Sequence, residues 1–220
     1  MGDLMTQAPL SGTNGDTAGQ QRAPQRGPKS GERFPHRPAY AALDLGTNNC
    51  RLLIARPSGA NFSVVDAFSR IVRLGEGLAA SGRLSDAAMD RALTALSVCA
   101  DKLMRRNVLI ARSVATEACR RAENGEQFVD RVYRQTGIKL DIISPKEEAR
   151  LAVMGCHSLL EPGEGEALIF DIGGGSTELV LVDTRGAVPE MLAWLSVPWG
   201  VVSLSEAEEH DSEDAPSRAA

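Results

Sequence analysis

The chain has 220 residues, 43% hydrophobic and 24% charged, which suits a globular protein of one large or two small domains. Its net charge of -5 argues against a general nucleic-acid binder, though not against a local basic groove for a polyanion. No run approaches the roughly eighteen apolar residues of a membrane span, and residues 1–38 lack a secretory apolar core, so no membrane partner and a cytoplasmic location are expected.

Residues 1–37 are rich in Gly, Gln, Pro, Ser and Thr and nearly free of large aliphatics after Leu10. They cannot bury enough apolar surface to offset their ordering entropy, and disorder is expected there. From Tyr40 the pattern changes. Residues 41–46 read as a short buried strand ending in a glycine turn, 51–55 as a second strand and 62–68 as a third, together an antiparallel meander.

Ser85 then caps a helix whose Met89, Leu93, Leu96, Ala100 and Leu103 keep helical spacing. Residues 108–115 read as a strand. Asn124-Gly125 is a turn, and a helix around Phe128, Val129, Val132 and Tyr133 stops at Gly137. Ile138, Leu140 and Ile142 alternate as a strand, and a further helix runs from Pro145 to about residue 160. The order βββαβαβα predicts an α/β unit with a mixed sheet over 38–161.

After a Gly/Glu linker the pattern starts again. Residues 167–170 form a strand ending in Asp171, followed by a glycine turn; 178–182 and 191–196 are the next two strands. The second unit thus spans 166–204 with only its opening meander, and an acidic, disordered tail over 205–220 follows. A fragment of a longer protein, or an unusually short one, is the expectation.

Cys50, Cys99, Cys119 and Cys156 form no CxxC pair, and His36, His157 and His210 stand alone, so neither a disulfide framework nor a zinc site is indicated. The informative signal is an internal repeat. Superposing Asp44 on Asp171 aligns Ala42-Leu43-Asp44-Leu45-Gly46-Thr47-Asn48-Asn49 with Phe170-Asp171-Ile172-Gly173-Gly174-Gly175-Ser176. Glycine lets successive backbone N–H groups point into one concavity, and such a nest binds anions. Thr47 and Asn48 add side-chain donors, and an aspartate on a rigid strand can hold a divalent cation opposite phosphate oxygens. Ordinary hairpin turns are the plain alternative, but three consecutive glycines weaken a sheet unless backbone must approach something closely.

These two turns, Asp44 to Asn48 and Asp171 to Glu178, resemble the phosphate motifs of the actin-like ATPase superfamily. Between them, Ala115-Thr116-Glu117-Ala118-Cys119-Arg120 and Ile142-Ile143-Ser144-Pro145-Lys146-Glu147-Glu148-Ala149-Arg150-Leu151 look like the exopolyphosphatase/guanosine pentaphosphate phosphatase (Ppx/GppA) family. The resemblance implies a duplicated ribonuclease-H-like fold, a cleft between lobes, and Mg²⁺-dependent release of terminal phosphate from polyphosphate or guanosine pentaphosphate. A nucleotide- or polyphosphate-binding module without turnover is the alternative, and dimerisation is left open.

Ser144-Pro145-Lys146-Glu147 reads as a capping box, which gives Glu147 a structural task. Glu148 has none. It lies three and four residues before Leu151 and Ala152, so it should face the cleft, kept ionised by the helix dipole to orient water; the family's catalytic glutamate falls on the same position. Glu178 follows the second glycine turn and is a candidate for holding metal or the attacking water. The expected phosphate set is Asp44, Gly46, Thr47, Asn48, Arg120, Gly173, Gly174, Gly175, Ser176 and Thr177, with Mg²⁺ at Asp171, Glu178 and Asp44.

Overall fold

The structure, a computed structural model, describes residues 38–59, 61–156, 159–160, 163 and 165–205. The expected disordered segment 1–37 and the acidic tail beyond Ser205 lie outside the described residues.

Three strands open the fold: β1 (Ala39–Leu45), β2 (Asn49–Ser58) and β3 (Asn61–Ile71), each antiparallel to the next. Leu43 and Leu45 of β1 and Cys50, Leu52 and Ile54 of β2 alternate inward and are buried, the period-2 pattern of a half-covered sheet. Their cover is α2 (Asp86–Arg105), which presents Ala88, Met89, Ala92, Leu93, Ala95, Leu96 and Cys99 to the same core. Ser85 caps it as expected, its hydroxyl accepting from the Ala88 N–H at 3.2 Å. A single turn, α1 (Leu78–Ser81), precedes it and left no sequence signal, because four residues are too few to show a helical period.

β4 (Val108–Ala115) returns parallel to β1, matching the expected bounds. The short α3 (Glu117–Arg121) follows at once. α4 (Gly125–Thr136) buries Phe128 and Val132 and ends at Gly137, whose φ of 72° is the left-handed C-terminal turn that glycine allows. Tyr133, expected on its apolar face, is instead 59% exposed. Ile138 and Leu140 are buried as expected, but only β5 (Asp141–Ile142) pairs with β4. The alternation there reports burial of an extended approach and not a full strand. α5 (Pro145–Cys156) starts where expected, and part of its expected continuation to about residue 160 lies outside the described residues. The five strands lie in the order β3-β2-β1-β4-β5.

The second sheet is a plain meander of β6 (Glu166–Ile172), β7 (Thr177–Asp183) and β8 (Glu190–Val197). One face meets α5, where Ala149 and Val153 pack with Ile169, Val180 and Val182. Residues 201–205 are helical and lie against the turn between β6 and β7. Among the described residues no helix is long and apolar enough to cross a membrane.

Candidate functional site

The two glycine turns are built alike. Asp44 pairs with Arg51 and Leu45 with Cys50 across the first hairpin; Asp171 pairs with Glu178 and Ile172 with Thr177 across the second. In each, the glycine two residues after the aspartate donates its N–H three residues on, Gly46 to the Asn49 carbonyl and Gly173 to the Ser176 carbonyl, both at 2.9 Å. The repeat read from the sequence is therefore a repeat of register and of turn.

The carbonyls of both turns are tied into the framework. Val72 and Arg73 donate to Asn48 O, and Gly75 to Thr47 O; Val201 donates to Gly173 O, and Val202 and Ser203 to Gly174 O. Arg91 steadies the first of these supports by donating to the carbonyls of Val72 and Arg73. The amides of Thr47, Asn48, Gly174, Gly175 and Ser176 donate to no acceptor among the described residues. Carbonyls anchored and amides unengaged is the polarity an anion needs. The Gly46 and Gly173 N–H groups, by contrast, close the turns themselves.

The turns also touch. A Cβ on Gly174 would stand 3.1 Å from Thr47 Cβ, and one on Gly175 2.8 Å from Thr47 Oγ1. Neither glycine has a positive φ. The close approach that the triple glycine announced is in part that of the other turn. Gly200 joins them: its Cβ would lie 2.5 Å from the Gly174 carbonyl carbon. Ser176 is buried, and Thr177 donates its hydroxyl to the Trp199 carbonyl at 2.7 Å, so that side chain braces the second turn.

Beside the turns opens a cleft of about 630 Å³ whose lining includes Asp44, Arg51, Thr116, Glu148 and Asp171. Glu148 reaches it from the first turn of α5. Ser144 accepts from the Glu147 N–H at 3.2 Å, yet the Glu147 carboxylate pairs with Arg150 at 2.8 Å. Only half of the expected capping box forms, since an arginine three residues on is a stronger partner than a backbone amide. Burial first, then the charge of Glu178, push Glu148 up to about 7, against the pull of Arg120. The helix dipole was expected to keep it ionised; desolvation outweighs it. Asp44 is raised too, by burial first and also by Asp171, with Arg51 opposing.

Glu178 is 1% exposed and accepts from the Ser196 hydroxyl at 2.8 Å, so it is buried and not on the exposed surface of its strand. Arg120 donates to Glu148 at 3.2 Å and to the Ile143 carbonyl at 2.7 Å, and also holds Glu117. The turns, Asp44, Asp171, Glu148 and Arg120 are thus brought together, with Glu178 close enough for its charge to raise Glu148. Glu117, Ser196 and Gly200 were missed. Only Glu117 left a signal, its i,i+3 spacing to Arg120.

Among the described residues no three His, Cys, Asp or Glu side chains converge as a metal cage. Mg²⁺ seldom needs one: it keeps several waters and takes one or two carboxylates plus substrate phosphates. Asp44 and Asp171, close enough for one to raise the other, fit that limited role.

The Ppx/GppA phosphatase family model matches residues 53–218. A guanosine-5'-triphosphate,3'-diphosphate pyrophosphatase of Aeromonas hydrophila is 36% identical over 176 residues, 77% of this chain and 35% of that one. Among solved structures, an Aquifex aeolicus Ppx/GppA phosphatase is 34% identical with a TM-score of 0.64, covering 77% of this chain and 55% of that one. An exopolyphosphatase from Cytophaga hutchinsonii is 28% identical with a TM-score of 0.71, covering 77% and 53%. The chain spans about a third of the length of the curated relatives it matches.

Proposed function

From a chain that belongs to the Ppx/GppA phosphatase family, we propose a hydrolase that cleaves the terminal phosphoanhydride bond of inorganic polyphosphate or guanosine pentaphosphate. The observation that carries this reading is the contact between two turns whose amides are unengaged, beside a cleft-facing glutamate. The names of the relatives, one a guanosine pyrophosphatase and one an exopolyphosphatase, support both substrates.

The amides of Thr47, Asn48, Gly174, Gly175 and Ser176 bind non-bridging oxygens of neighbouring phosphates. Arg120 fixes Glu148, and Glu148 in its ionised form takes a proton from the water that attacks in line with the bridging oxygen. Glu178, held by Ser196, adds its negative charge beside Glu148. Asp44 and Asp171 would hold Mg²⁺, which when bound neutralises charge on the phosphate oxygens. Residues 38–161 constitute the first ribonuclease-H-like lobe and 166–204 the opening of the second.

Binding without turnover is the second reading, because the unengaged amides of the two turns can hold phosphate whether or not Glu148 activates water. Incubating the chain with polyphosphate, guanosine pentaphosphate and ATP, with and without Mg²⁺, separates the two. Phosphate release from either of the first two substrates, dependent on Mg²⁺, is expected. Binding with no release from any of them would leave the module without turnover.

A further inference from the structure

Glu117 has no part in the reading above, yet it touches both Arg120 and the second glycine turn. It opens α3, is buried, and lies against the second glycine turn, its Cγ 3.2 Å from where a Cβ on Gly175 would stand. Its carboxylate takes one nitrogen of the Arg120 guanidinium, and Arg121 stands 3.8 Å from its other oxygen. The second terminal nitrogen of Arg120 serves Glu148 and the Ile143 carbonyl. The side chains of Glu117, Arg120 and Glu148 are all less than a fifth exposed.

A guanidinium is planar and offers its donors in a fixed fork, so holding one prong determines where the other points. With its first prong on Glu117, Arg120 presents the second to Glu148. We propose that Glu117 is a positioning residue, which locks Arg120 so that Arg120 orients Glu148, and which ties that orientation to the second glycine turn through its contact at Gly175. In the absence of the Glu117 charge, the guanidinium can turn wholly to Glu148 or swing out to an incoming phosphate, and the carboxylate loses its single orientation. The effect on turnover rests on the hydrolase reading; the effect on Arg120 does not.

Two variants of the full chain test this. Glu117→Gln keeps shape and removes charge; Glu117→Ala removes the partner altogether. Hydrogen exchange of the Arg120 guanidinium, assigned in nitrogen-15 spectra by comparison with Arg120→Lys, should quicken at least tenfold in both variants. If the wild-type chain releases phosphate, kcat should fall about tenfold or more in Glu117→Gln while KM stays within twofold, since misplacing a catalytic group by an ångström can cost about a hundredfold. Unchanged Arg120 exchange in both variants overturns the proposal, as does a kcat loss matched by an equal loss of folded protein. If the wild type shows no turnover, the hydrolase reading falls by itself, and Arg120 exchange still decides the role of Glu117.

Discussion

At the scale of single residues, the proposed chemistry rests on Glu148. A carboxyl group raised to about 7 is poised to exchange a proton near neutrality, and phosphate release should rise with pH and level off above about 7. Glu148→Gln should cost on the order of a hundredfold or more in kcat, read by phosphate release at pH 8. The same residue makes a stability prediction of fixed sign. Its folded value lies above its ordinary 4.5, so the native chain holds the proton more tightly than the unfolded one. The resulting stabilisation is full below 4.5 and is lost as pH rises towards 7. Glu148→Gln should therefore melt higher than wild type at pH 8, with the gap closing on acidification to pH 4.5. A gap that stays constant with pH would deny the raised value.

At the scale of elements, the two turns act as one unit because each is fastened from behind. The first rests on the amides of Val72, Arg73 and Gly75, the second on those of residues 201–203. Gly200 is the tightest point of the second support, since a Cβ there would meet backbone and no flexible side chain that could yield. Gly200→Ala should push the turn away from its support, lowering stability by about 1–3 kcal/mol as overpacking does. It should weaken tripolyphosphate binding at least tenfold, measured by calorimetry. Unaltered affinity would mean that the second turn does not hold the anion. The helices were legible to different degrees for physical reasons. α2 is long, capped by Ser85 and periodic over twenty residues. α3 is five residues long, and what makes it matter is the partner that Arg120 finds on α5.

At the scale of the whole molecule, the repeat has a consequence for the second sheet. Leu43, Leu45, Leu52 and Ile54 of the first sheet are buried beneath α2. Their counterparts under the same superposition are Phe170, Ile172, Leu179 and Leu181, and there Phe170 is 62% and Ile172 64% exposed. With Leu168 and Leu195 they make an apolar face of the kind that monomeric proteins seldom show. A dye that fluoresces on apolar surfaces should bind the native chain, and Phe170→Ser with Ile172→Ser should abolish most of that signal while changing the melting temperature little. Retained fluorescence in the double variant would place the apolar surface elsewhere.

What the amino-acid order determined by itself is whatever depends on neighbours in the chain: the strands, the capped helix, the glycine turns and their repeat with the aspartates in register. Spacing along the chain suffices for these because strand alternation, helix periodicity and turn chemistry are local. Only the tertiary structure decided that the two turns touch, that Glu178 is buried against Ser196, that Glu147 turns to Arg150, and that burial raises Glu148. Each of these depends on burial or on partners that the sequence does not pair, some as far apart as the two turns, and the cost of desolvation is set by what the fold stacks around a group.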